Sequence, residues 1–219
     1  VELVVVVVFV GALFYGVHRL VTSAAARTGT ACAEAAQLLG LQPVSLSRDE
    51  AAAAFLPPER RVHSDVVAFR GEVVGVEVLI AAFTHDSNTA MNGALIPITA
   101  THALARLPRP LVPGEVEISR RVAFSAPSQV SLGEPLDAGA VILTTEPDAL
   151  ARVLRGDDAL ARRIVTFLQA GGGNAFVRED ACLVMEAYRD PARIRATVRG
   201  AAELARLLHR VASERAPLR

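Results

Sequence analysis

Residues Asp65 to Phe83 read DVVAFRGEVVGVEVLIAAF, and this stretch decides the fold class. Val, Ile and Phe fill two runs, Asp65 to Arg70 and Gly75 to Phe83, and such branched and aromatic side chains suit a pleated, half-buried surface. In the second run Val76, Val78 and Ile80 alternate with Glu77, Leu79 and Ala81. One face is strongly apolar and the other mixed, the period-two pattern of a strand. Gly71-Glu72-Val73-Val74 can turn the chain between the runs, giving a hairpin. Further along, Gly93 to Ala100 reads as a strand that Pro97 assigns to an edge or a bulge. Glu115 to Phe124 supplies another, with Val116 and Ile118 alternating against Glu117 and Ser119. Thr84 to Asn88, polar throughout, reads as a hairpin loop, and Pro108, Pro110 and Pro113 make the later connection irregular.

Beyond Leu136 the pattern changes from strands to mixed elements. Ala138 to Thr144 is a short apolar strand, and Pro147-Asp148 opens a helix, because proline fits the first helical position and an acid fits the positive end of the dipole. Gly156 closes that helix and Asp157 caps the next, which carries Leu160, Ile164, Phe167 and Leu168 at helical spacing. Gly171-Gly172-Gly173 ends it. Ala175 to Arg178 and Cys182 to Tyr188 flank Glu179-Asp180 as a hairpin, and Asp190-Pro191 starts a final helix to about Ala212. The C-terminal module therefore reads β-α-α-β-β-α.

Toward the other end, Leu3 to Val17 (LVVVVVFVGALFYGV) carries no charge. About 15 residues reach roughly 23 Å against a ~30 Å hydrocarbon core, and Leu20 and Val21 extend the run if His18 and Arg19 snorkel. A single-pass membrane helix over residues 3–21 is the expectation. A cleaved signal peptide, releasing an exported soluble domain, is the alternative; its basic n-region is missing, since Glu2 is the only side-chain charge before the run. From Thr28 to Leu39, Cys32, Ala35, Ala36 and Leu39 share a helical face, and Gly40 supplies the stop. The chain thus divides into 1–27, a membrane segment and flank; 28–63, a short helix and connecting region; 64–213, an α+β domain; and 214–219, a tail. The fold class is α+β: a transmembrane helix, an antiparallel β-rich core and the C-terminal module.

Composition narrows the functions. Of 219 residues, 23 are Lys or Arg and 23 are Asp or Glu, so the net charge is zero and no basic field exists to hold nucleic acid. Every strong cation is arginine, a mark of a high-GC bacterial genome. The two cysteines, Cys32 and Cys182, exclude a disulfide framework and a cysteine-only zinc site.

The chemically richest stretch is Thr84-His85-Asp86-Ser87-Asn88, with His102 downstream. A hydrolase or metal-dependent enzyme would use His85, Asp86 and His102, with His63 as a further ligand type. No G-x-S-x-G turn or H-E-x-x-H spacing supports it, so no catalytic residue, metal or cofactor is assigned. Gly171 to Asn174 follows a helix and precedes a strand, the wrong order for a phosphate loop. Cys182, among Leu183, Val184 and Met185, reads as a packed small hydrophobe. On the last helix Ile194, Val198, Ala201, Ala205 and Leu208 form an apolar stripe, with Arg195, Arg199, Arg206 and Arg210 opposite. That ridge suits anionic lipid headgroups or an acidic partner.

The pattern Gly71-x-x-x-Gly75-Val76-x-Val78, the Leu136-Asp137-Ala138 strand start, Glu146-Pro147-Asp148 and Leu204-Ala205-Arg206-Leu207-Leu208 together resemble a group of bacterial membrane-anchored proteins with an α+β domain, over about residues 60 to 212. The likeness implies an architecture and no activity. The functional expectation is a non-enzymatic binding or structural module at the bacterial inner membrane, held by residues 3–21 and contacting a lipid or protein partner. His18, Arg19 and Arg27 follow the apolar run, and the positive-inside tendency then favours a cytoplasmic domain.

Overall fold

A computed structural model describes residues 23–57, 59–91, 94–107, 114–120, 128, 130–155, 157–169, 175–178, 181–186 and 189–215. Residues 23–39 form helix α1. Strand β1 (Gln42–Val44) and helix α2 (Arg48–Phe55) follow. Then come β2 (Val67–Val73), β3 (Val76–Met91), β4 (Ala94–Arg106) and β5 (Glu115–Arg120). The remainder is α3 (Leu136–Gly139), β6 (Ala140–Thr144), α4 (Pro147–Leu154), α5 (Asp158–Gln169), β7 (Ala175–Arg178), β8 (Ala181–Glu186) and α6 (Pro191–Arg215). The strands make one eight-stranded sheet, ordered β1-β2-β3-β4-β8-β7-β5-β6, and every pairing is antiparallel.

Strand alternation splits the core in two. Val78, Ile80 and Ala82 of β3 point to one face, where α1, α4, α5 and α6 bury Ala31, Cys32, Leu150, Ile164, Ile194 and Leu208. Leu79, Ala81 and Phe83 point to the other, under Ala51, Phe55 and Leu56 of α2 and the turn that follows it. A capping box holds the start of α2: the Glu50 amide donates to Ser47 Oγ, and the Ser47 amide donates to the Glu50 carboxylate.

Helix α1 lies close on the sheet because its buried face, Ala31, Cys32, Ala35 and Ala36, is built of small side chains. It ends where expected. The Leu41 amide donates to the Ala36 carbonyl and the Gly40 amide to the Gln37 carbonyl, with Gly40 at φ 72°, which is a Schellman close. Its direction follows from two close approaches. A Cβ at Gly29 would stand 3.2 Å from Val67, and one at Gly71 would stand 2.8 Å from Leu41. Since Val67 opposes Ala82 and Gly71 opposes Val78, α1 runs antiparallel to β3. Helix α6 has the same direction: it follows β8, whose Glu186 end opposes Thr101, and its later residues Ala205, Arg206 and His209 line a hollow with Gly75, Val76 and Arg106.

The C-terminal module is β6-α4-α5-β7-β8-α6, the β-α-α-β-β-α order expected. Pro147 stands in the first turn of α4, Asp157 Oδ1 accepts from the Leu160 amide at the start of α5, and Asp190 Oδ1 accepts from Ala192 at the start of α6.

Three local expectations change. Thr84 to Asn88 is strand, not loop, because its polarity is met laterally: the Thr84 and Thr99 hydroxyls bond at 2.8 Å across β3 and β4. The β2–β3 turn falls on Val74-Gly75, not on Gly71 to Val74, since only there do both residues take positive φ, 48° and 79°. Leu136-Asp137-Ala138 starts a helical turn ahead of the strand, because the Asp137 carboxylate gathers the preceding loop. No helix among the described residues is long and apolar enough to cross a membrane. The apolar run 3–21 lies outside the described residues, as do Gly171 to Asn174 and residues 216–219.

Candidate functional site

The register sets the histidines. His102 of β4 opposes Ala81, His85 of β3 opposes Ile98, and Phe83 opposes Ala100, so all three rings emerge on the face that α2 covers. The alanines opposite His102 and Phe83 leave the room. His102 stacks on Phe83 at 4.5 Å, and His85 meets His102 edge-on at 4.8 Å. Phe55 of α2 closes over the group at 5.6 Å from His102 and 5.9 Å from Phe83.

Both imidazoles are almost fully buried, and Nε2 of each has no hydrogen-bond partner among the described residues. His85 Nδ1 donates to the Asp86 carbonyl at 2.7 Å, which leaves its Nε2 as the lone-pair nitrogen. Burial pushes the His102 pKa down to about 3, and the neighbouring His85 adds to the depression. Burial also lowers His85, against the pull of Asp86. The pair is therefore neutral near pH 7.

The Asp86 carboxylate follows the alternation and turns to the opposite face. Residues 61–63 run beside β3 there, with Val62 bridging His85 and the His63 amide donating to the Thr84 carbonyl. Asp86 Oδ1 bonds His63 Nε2 at 2.6 Å and Oδ2 accepts from the Arg61 amide. The His63 bond chiefly holds the Asp86 carboxyl below its ordinary range. Thus the structure brings His85 and His102 together, while Asp86 engages His63. A base held by an orienting acid would need the carboxylate on an imidazole nitrogen of the buried pair, and here it sits on a third ring. Sequence reasoning missed His63 as the partner of Asp86, although adjacency on one strand already sends residues 85 and 86 to different faces. Among the described residues no set of three or more His, Cys, Asp and Glu side chains is arranged to hold a metal.

Both cysteines are buried, and burial raises each thiol to about 12. On α6 the apolar stripe Ile194, Val198, Ala201, Ala205 and Leu208 is packed in the main core. Arg199, Arg206 and Arg210 are exposed and Arg195 half-buried. Where α6 ends, Arg106, Arg206, His209 and Glu77 border a shallow hollow of about 440 Å³.

No known protein family matches the chain, and no curated protein does. Among solved structures, the mycobacterial trehalose monomycolate transport factor A is similar at 17% identity over 84% of this chain and 93% of that one, with a TM-score of 0.46. That score is too low to carry an argument about fold or function.

Proposed function

We propose that this chain is a membrane-anchored, non-enzymatic binding or structural module, held in the bacterial inner membrane by residues 3–21 with its α+β domain in the cytoplasm. One observation carries the reading: the apolar run leads straight into α1, and α1 is part of the main core through Ala31, Cys32, Ala35 and Ala36. An anchor placed just ahead of a core helix would turn the end of the sheet at which that helix begins toward the bilayer.

This placement divides the arginine ridge. Helix α6 runs away from the anchor end, and Arg195 to Arg210 covers about 22 Å at 1.5 Å per residue. Headgroup charge fades over roughly 8 Å at physiological salt. Arg195 and Arg199 are then placed for anionic lipid, and Arg206 and Arg210 for an acidic protein partner.

The test is fractionation of the full chain with alkaline carbonate, together with C-terminal reporter fusions. The reading expects retention in the membrane pellet and a reporter active only in the cytoplasm. Release by carbonate defeats the anchor, and a periplasmic signal defeats the orientation.

A further inference from the structure

We propose that the projecting end of β3 and β4, around Ile96 to Ile98, is an arm that seats in the interfacial layer of the lipid bilayer; the proposal rests on the anchored reading above. The pairing pattern isolates this arm. Strand β2 accompanies β3 only as far as Ala82, β8 accompanies β4 only from Thr101, and residues 61–63 reach no further than Asp86. Beyond these levels, among the described residues, β3 and β4 pair only with each other, out to Met91 opposite Ala94 with one irregularity between Asp86 and Ala90. From Thr101 to Ala94 the arm covers about 23 Å at 3.3 Å per residue.

Chemistry and direction then agree. From Ser87 to Ala105 the sequence contains no Asp, Glu, Lys or Arg, and it includes Leu95-Ile96-Pro97-Ile98. Ile96 and Pro97 are exposed, and uncharged apolar side chains held in water at this end of the sheet call for an apolar surrounding. The arm points the way α1 begins. Cys32 lies near the level of Thr101, so residue 23 stands about 14 Å beyond that level. The arm reaches roughly 9 Å further than residue 23 by the same rises.

The depth is limited by the backbone. A two-stranded ribbon has free edges, and unpaired amides and carbonyls are excluded from hydrocarbon. Pro97 removes one donor from the β4 edge, where no strand among the described residues pairs with it. The arm therefore seats among headgroups and the first acyl carbons, beside the anchor, and does not span.

The experiment uses the full chain in vesicles of phosphatidylethanolamine and phosphatidylglycerol. Ile96→Cys, with Pro97→Cys as a second reporter, and Val74→Cys at the opposite end of the sheet each carry an environment-sensitive fluorophore. Cys32 and Cys182 are buried with thiols raised to about 12, so they stay unlabelled in the folded protein. The arm proposal expects blue-shifted emission at positions 96 and 97, quenched by shallow nitroxide lipids, with position 74 water-like. Water-like emission at 96 and 97 in carbonate-resistant vesicles overturns the arm and leaves the anchor standing. Blue-shifted emission that lipid nitroxides fail to quench also overturns it, because protein and not lipid then covers the tip. Loss of the chain on carbonate washing removes the anchored reading itself.

Discussion

Phe83 and His102 lie face to face, their ring centroids 4.5 Å apart and their planes within 4°. They sit diagonally across two neighbouring strands, with Ala81 opposite His102 and Ala100 opposite Phe83. Such diagonal pairs lie within reach of aromatic side chains, and here a small residue opposite each large one lets the rings close flat. An imidazole in that position is used as a neutral ring.

The cost of charging it sets a pH dependence. His102 falls from 6.5 to about 3 in the fold, so below pH 6.5 the unfolded chain binds a proton that the native state does not. Stability is then complete above pH 6.5 and declines as pH falls toward 3, with a limiting slope of about 1.4 kcal/mol per pH unit for one group. His85, also lowered, works in the same direction, while Asp86, held below its ordinary range, adds a loss only at still more acid pH. Arg60 and His63 are the neighbours that further disfavour protonation of His85. In denaturant melts between pH 7.5 and 4.5 the wild type should lose stability relative to His102→Phe as pH falls. Parallel profiles would show that His102 does not carry the dependence.

Thiol reactivity should separate the folded and unfolded states cleanly. Thiolate is the reacting form, and burial raises both Cys32 and Cys182 to about 12, with the Thr101 hydroxyl only partly offsetting this at Cys32. A maleimide at pH 7.5 should add to neither residue in the native protein and to both in guanidinium. Rapid native labelling of Cys32 would mean that α1 opens from the sheet far more readily than its buried face implies.

Asp137 is a structural clamp for the loop before α3. Its carboxylate accepts from Ser131 Oγ at 2.6 Å, the Leu132 amide at 3.0 Å and the Gly133 amide at 3.1 Å. Hydrogen bonds to a charged group contribute about 1.5 to 3 kcal/mol, but the oxygens here face solvent, so we expect Asp137→Ala to cost about 1 to 2 kcal/mol. Asp137→Asn should recover only part of the loss, since an amide oxygen can accept from at most some of these donors. Equal stability of Ala and Asn variants in urea melts would discount the clamp.

The sheet and its C-terminal module were legible because their signals are local. Val76 to Ile80 alternates with period two, Pro147, Asp157 and Asp190 mark helix starts, and the α6 stripe from Ile194 to Leu208 is buried as its spacing demands. The histidine pair was not legible, for two reasons. Polar residues Thr84 to Asn88 resemble a loop unless the cross-strand Thr84–Thr99 bond is known, and that bond joins segments whose register the sequence leaves open. Likewise Pro97 predicts an edge, and β4 is a central strand along Thr101 to Arg106 but at Pro97 pairs, among the described residues, with β3 only. Whether a strand is central or free changes along its own length, and only the tertiary pairing says where.

The β2–β3 turn offers a stabilising substitution. Val73 opposes Val76, so the turn has two central residues, Val74 and Gly75, with φ of 48° and 79°. Positive φ at both marks a type I′ turn, whose twist matches the flanking strands and whose preferred residues are Asn-Gly. Gly75 meets that need without strain, but Val74 is branched at Cβ and holds a conformation that costs such a residue about 1 to 3 kcal/mol. Its side chain is 46% exposed, so little burial is lost on replacement. Val74→Asn should therefore stabilise by about 1 kcal/mol, raising Tm by roughly 2 to 4 °C in a domain of this size. Gly75→Ala should do the reverse: no atom lies within 4 Å of the added Cβ, so any loss of stability there is conformational alone. Thermal melts of the two variants beside the wild type decide it. A lower Tm for Val74→Asn would mean that the Val74 side chain contributes more by packing than its backbone loses by strain.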